Sequence, residues 1–163
     1  MHLLDTPVVA ALRNARAGTA EPGLTAWASG VARESLFISA ITLHELEEKA
    51  ARARRENRSG GVQWRAWIDD HVMRAFDGRV VVLDAAVVRR AAQLDYGDQR
   101  DGLLAATALE HGFTLVTQRA RAFRAGRVKV FDPTGFVPEA AVDDWRQAAR
   151  AAPVWVKNLF VRS

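Results

Sequence analysis

The chain of 163 residues contains no cysteine, which rules out disulfide cross-links, thiolate nucleophiles and Cys-ligated zinc or iron–sulfur centres together. That suits a reducing cytoplasm. Lysine is scarce as well: Lys49, Lys129 and Lys157 are the only three, so arginine supplies nearly all of the positive charge. Uncharged runs such as Leu36 to Leu43 are far too short to cross a bilayer, and the opening apolar run, Leu3-Leu4, ends at Asp5 before any secretory signal can form. No Gly-rich phosphate loop is present, which argues against a doubly wound nucleotide or flavin binder. The expectation is a cytoplasmic protein with no membrane association.

What is present is a globular balance, 49% hydrophobic and 26% charged, on a chain long enough for one domain with a substantial core. The net charge of +4 and the pI near 10.3 favour a polyanionic partner, because Lys and Arg that meet phosphates release counterions. Simple solubility accounts for the same charge.

Short apolar runs alternate with helical periodicity. His2 to Thr6 reads as a strand ending on a carboxylate, with Thr6 as helix cap and Pro7 at the first helical position. A loop over 17–23 and a short helix with Trp27 lead to a strand from Leu36 to Ile41. Thr42 then opens a helix with Glu45 at capping-box spacing, which runs to Arg55. Gly60-Gly61 reads as a break, and Val62 to Phe76 keeps a helical period. Val80 to Leu83 has the composition of a strand buried on both faces. A helix over Ala85 to Leu94, a turn at Asp95 to Asp98 and a helix from Arg100 to Glu110 closed by Gly112 come next. The strands Phe113 to Thr117 and Val128 to Phe131 complete the pattern. The alternation predicts an α/β fold with a mainly parallel sheet covered on both sides. After a domain over 1–136, the extension 137–163 carries a helix around Val142 to Ala151. Its apolar patch, Val154 to Val156 with Leu159-Phe160, is expected docked on the body or in an interface.

In an open parallel sheet, ligands gather at the C-terminal strand ends. Asp5, Glu45 and Asp101 all fall near such ends and can face one pocket. Crowded carboxylates repel unless a cation neutralises them, and oxygen ligands without His or Cys select Mg²⁺ or Mn²⁺. Each acid also has a plain structural reading: Asp5 as a helix-entry carboxylate, Glu45 as the capping-box partner of Thr42, Asp98 and Asp101 as an N-cap and its third-position acid. His44 and His111 lack metal-ligand spacing. Arg52, Arg54 and Arg55 read as a solvated face or as RNA contacts, and the tryptophans, with Trp64 and Trp67 at helical spacing, as core and interface.

Three segments in this order resemble the PIN-domain family, especially the VapC and FitB toxins of bacterial toxin–antitoxin pairs. They are Leu3-Leu4-Asp5-Thr6, the run Ile38 to Leu46 with Glu45, and Asp101 to Leu109 continuing through Leu115-Val116-Thr117. The resemblance implies a three-layer fold around a parallel sheet and a homodimer. It also implies a Mg²⁺-dependent endoribonuclease, with Mn²⁺ as a substitute, restrained by a small antitoxin. By position it assigns Asp5, Glu45 and Asp101 to the metal and catalysis, with Thr6 and Thr117 in support. Two departures stand out. Pro7 occupies a place where the family has Asn. Gln118 to Phe123 replaces Arg-Asn-x-x-Asp-Phe, so that Arg119 stands for the Asn and Ala122 for a fourth acid. Arg119 can pair with an acid and compete with the metal, or contact substrate phosphate. Asp98 can stand in for the lost acid. A non-catalytic PIN-fold binding protein, retaining its partners, is the alternative these departures raise.

Overall fold

The computed structural model describes residues 1–14 and 19–138. The expected helix at 142–151 and the apolar patch after it lie outside the described residues, as does part of the 17–23 loop. Five strands form one sheet: β1 (His2–Leu4), β2 (Leu36–Ser39), β3 (Val80–Val81), β4 (Thr114–Val116) and β5 (Val130–Phe131), in the spatial order β3-β2-β1-β4-β5. Every pairing is parallel, with Leu3 opposite both Phe37 and Leu115. The chain lays strands outward on one side of β1, then crosses to the other side for β4 and β5. The crevice at the ends of β1 and β4 is therefore the point where the order reverses, the place such sheets offer to ligands.

Seven α-helices of the described residues cover the sheet: α1 (Thr6–Arg13), α2 (Pro22–Gly30), α3 (Ala40–Glu56), α4 (Arg58–Trp67), α5 (Met73–Ala75), α6 (Ala85–Ala91) and α7 (Gln99–Glu110). Because strand side chains alternate, Leu4 and Val116 point to one face and Leu3 and Leu115 to the other. The first face packs against Val8, Leu12, Leu24, Leu46, Trp67 and Phe76, the second against Leu104, Ala105, Ala108 and Phe123. This is the three-layer architecture the resemblance implies. The alanines of α7 let that helix lie close to the sheet, which carries Asp101 toward the strand ends.

Several local expectations are corrected. The cap of α1 is Asp5, not Thr6: its carboxylate accepts from the Thr6 amide at 2.8 Å, and Pro7 follows in the first turn. Helix α3 starts at Ala40 with Ser39 as its cap, so Thr42 lies inside the helix and no capping box with Glu45 forms. The Thr42 hydroxyl donates instead to the Leu4 carbonyl at 3.1 Å, tying α3 to the end of β1. The break falls at Asn57, the cap of α4, and Gly60-Gly61 lies within that helix. A Cβ on Gly61 would stand 2.4 Å from Arg54, so the glycine is there for close helix approach. Between α4 and α5 one π-helical turn spans Ile68–Val72. Strand β3 is a two-residue edge with Val82 exposed, rather than a strand buried on both faces, which is how an edge avoids templating further pairing. Among the described residues no helix is long and apolar enough to cross a membrane.

Candidate active site at the sheet switch point

Each acid reaches the crevice by a different device. Asp5 leaves β1 directly and is fully buried, held by the Thr6 amide and by the Thr117 hydroxyl, which donates to Oδ2 at 2.6 Å. Thr117 follows β4 and is also fully buried; its Oγ1 accepts from the Arg119 amide at 2.9 Å. Asp101 is the third residue of α7, whose cap Asp98 accepts from the Arg100 and Asp101 amides at 2.8 and 3.4 Å. Asp98 lines the pocket, with its carboxylate used as that cap. Glu45, in the second turn of α3, accepts from the Thr6 hydroxyl and lies 3.6 Å from Arg100.

Thr6, Glu45, Asp98, Arg100 and Asp101 line a cavity of about 470 Å³ that also takes in Lys49, Arg52, Arg55 and Arg119. The structure thus brings Thr6, Glu45, Asp98, Asp101 and Arg119 to one pocket, with Asp5 and Thr117 beneath it. Ala122 is exposed on the 3₁₀ segment Ala120–Gly126. His44, exposed on α3, lies 3.6 Å from Glu48, and His111 stacks on Phe113.

The centre of the pocket is Arg119. Its guanidinium donates to Asp101 through Nη2 at 2.7 Å and Nη1 at 3.1 Å, a two-point fork, and to Asp5 Oδ2 through Nε at 3.3 Å and Nη2 at 3.2 Å. Charged hydrogen bonds of this geometry are stronger than neutral ones. Burial pushes the Arg119 pKa down, but the hydrogen bonds and negative charge of Asp101 and Asp5 outweigh it and hold the group protonated beyond its ordinary range.

The donor set has the chemistry of a hard divalent site: carboxylates and hydroxyls, with no sulfur or imidazole. The arrangement is another matter. Asp5 and Asp101 meet the guanidinium, Glu45 turns to Thr6 and Arg100, and among the described residues no three Asp, Glu or His side chains converge as a ligand cluster. The residues fit the ion in kind, and one cation of the chain's own already sits between two of them.

Arg100 and Lys49 escaped sequence reasoning, whereas Arg52 and Arg55 read there as a solvated face or as RNA contacts. Arg100 bridges Glu45 and Glu48, the latter at 2.8 Å. Lys49, Arg52 and Arg55 share the pocket side of α3 with Glu45 and Glu48. The signal was available: positions 45, 48, 49, 52 and 55 lie on one helical stripe.

Comparison with known proteins bears on the family and the fold. The PIN domain model matches residues 3–127. A VapC ribonuclease, Y4jK, from Sinorhizobium fredii is 31% identical over 82% of this chain and 97% of its own. Toxin FitB from Neisseria gonorrhoeae is 28% identical over 82% of this chain and 98% of its own. The crystal structure of FitAcB from Neisseria gonorrhoeae superposes with a TM-score of 0.72 at 29% identity, covering 82% of this chain and 98% of that one. The chain belongs to the PIN domain family.

Proposed function

We propose that this protein is a Mg²⁺-dependent endoribonuclease toxin of a toxin–antitoxin pair, cutting RNA phosphodiesters at Asp5, Glu45 and Asp101. The observation that carries the reading is one cavity at the β1–β4 crevice, lined by Glu45 and Asp101 with Asp5 buried beneath them, beside Lys49, Arg52 and Arg55. Acids there suit a metal, and the cationic stripe suits a phosphate backbone. That relatives bear the names VapC ribonuclease and toxin FitB supports the ribonuclease and the toxin parts of the reading.

Asp5 and Asp101, with Glu45 nearby, would hold the ion, Mg²⁺ or Mn²⁺, which when bound supplies a more acidic water and offsets charge on the phosphate. The chain's own residues do the positioning. Thr117 fixes Asp5 through its hydroxyl, Thr6 orients Glu45, and Thr42 locks α3 against β1 so that both carboxylates keep their places. Lys49, Arg52 and Arg55 draw the strand along α3 and orient its backbone.

We take the state to be a cytoplasmic homodimer restrained by a small antitoxin, as the motif resemblance implies, with the domain ending near residue 136. The test is cleavage of RNA by the purified chain with Mg²⁺ or Mn²⁺: Asp5→Asn and Asp101→Asn should abolish it, and chelation should too. The engagement of Asp5 and Asp101 by Arg119 favours a second reading, a weakened or non-catalytic protein that still binds its antitoxin. Antitoxin binding without cleavage under any divalent metal would select it.

A further inference from the structure

We infer that Arg119 is a resident plug: its guanidinium and a divalent cation exclude one another at Asp5 and Asp101, so this side chain sets the protein's metal affinity. The inference rests on the metal reading above and deepens it.

Asp5 is fully buried and Asp101 only 9% exposed, so their oxygens have few directions in which to find a partner. Guanidinium N–H groups reach Asp101 Oδ1 and Oδ2 at 2.7 and 3.1 Å and Asp5 Oδ2 at 3.2 and 3.3 Å, and the remaining Asp5 oxygen accepts from the Thr6 amide at 2.8 Å and from the guanidinium at 3.4 Å. Each guanidinium contact takes a lone-pair direction that a metal ion would otherwise use, and the guanidinium fills the space between the two carboxylates. The plug is also seated from behind. The Arg119 amide is fixed on Thr117, and its guanidinium carbon lies 5.5 Å from the Phe123 ring centre, within cation–π range.

Charge reinforces the geometry. A cation entering between the two carboxylates meets a fixed positive charge within a few ångströms, and two like charges so placed in a partly buried site repel strongly. Withdrawal has an open route, because the side chain is 41% exposed on the pocket side, next to the cavity of about 470 Å³. Occupancy by Arg119 therefore costs metal affinity without sealing the site.

The experiment is Mn²⁺ titration of the full chain without RNA, by calorimetry and by the electron paramagnetic resonance signal of free Mn²⁺. Arg119→Ala should bind at least about tenfold more tightly than wild type, and Asp101→Asn in the Arg119→Ala background should cancel the gain. Arg119→Gln, which keeps polar contact but no charge, gives the same comparison if the alanine variant does not fold. A tight Mn²⁺ site of equal affinity in wild type and in both Arg119 variants, still lost with Asp101→Asn, overturns the inference and leaves the metal reading standing. Absence of Mn²⁺ binding by wild type and variants alike overturns both.

Discussion

Thr117→Val tests whether the crevice is organised by the hydrogen-bond relay that runs from the Arg119 amide through the Thr117 hydroxyl to Asp5. Valine matches threonine in shape, so no cavity opens in a residue that is fully buried. What is lost is chemical. The hydroxyl donates to Asp5 Oδ2 at 2.6 Å, a bond to a charged acceptor, worth about 1.5–3 kcal/mol. It also accepts from the Arg119 amide at 2.9 Å, and that N–H is left without its partner, at a cost of about 1–3 kcal/mol if no water reaches it. Arg119 is partly exposed, so water recovers some of the second term, and the net loss should be about 2–4 kcal/mol. For a domain of this size that lowers Tm by roughly 4–16 °C. Urea unfolding gives the free energy directly, and Thr117→Ser, which keeps the relay, should lose about 1 kcal/mol for its methyl group. A Thr117→Val protein within about 0.5 kcal/mol of wild type, the range of neutral surface changes, would refute the claim that this relay holds Asp5.

Four further outcomes can be checked on the same protein. Gly23→Ala places a Cβ 2.4 Å from the Phe136 amide nitrogen and 2.7 Å from both the Gly135 nitrogen and the Pro133 oxygen, so the 133–136 turn must move; thermal unfolding should fall by about 1–3 kcal/mol in equivalent stability. Glu21 caps α2: burial pushes its pKa up, but amides of Leu24, Gly23 and Gly135 outweigh this and hold it below its ordinary value. Its folded pKa being depressed, the advantage of wild type over Glu21→Gln is present above about pH 4.5 and shrinks as pH falls through the folded value, which a pH series of urea midpoints will show. Replacing Lys49, Arg52 and Arg55 together by alanine should leave the fold intact, weaken RNA binding and flatten its salt dependence by about three phosphate contacts, measured by fluorescence anisotropy. Ala122→Asp should raise cleavage little while Arg119 is present and much more in combination with Arg119→Asn, as followed with a fluorogenic RNA.

The sequence carried the fold and the acids further than it carried their surroundings. Asp5 and Asp101 were legible because each is tied to a strand end or a helix start, features set by local periodicity, while Thr117 entered only through the motif resemblance. The start of α3 was misread because Ser39 and Thr42 are both good caps by composition. The choice between them is tertiary: the Thr42 hydroxyl is taken by the Leu4 carbonyl, 38 residues away in sequence. Gly60-Gly61 looked like a break for the same reason. Glycine lowers helix propensity, and nothing local reveals that Gly61 must let Arg54 approach. Arg119 was noticed as an odd substitution with two possible uses, and only the spatial meeting of β1, β4 and α7 decides that it faces the acids.

Arg119, one of the two departures from the motif that the sequence resembles, alters the charge of the pocket. A quartet of acids would leave a strongly negative cluster that only a bound cation can relieve. Here the carboxylates of Asp5 and Asp101 share the guanidinium of Arg119, which leaves one net negative charge among the three. Such a cluster is close to self-neutral, so burial of Asp5 is tolerated without metal, where an unpaired buried charge would cost several kcal/mol. The same pairing reduces the electrostatic pull on a divalent ion. Stability of the metal-free protein and affinity for metal are therefore opposed through one side chain. Placing an acid at position 122 leaves that pairing as it is, because the guanidinium between Asp5 and Asp101 remains.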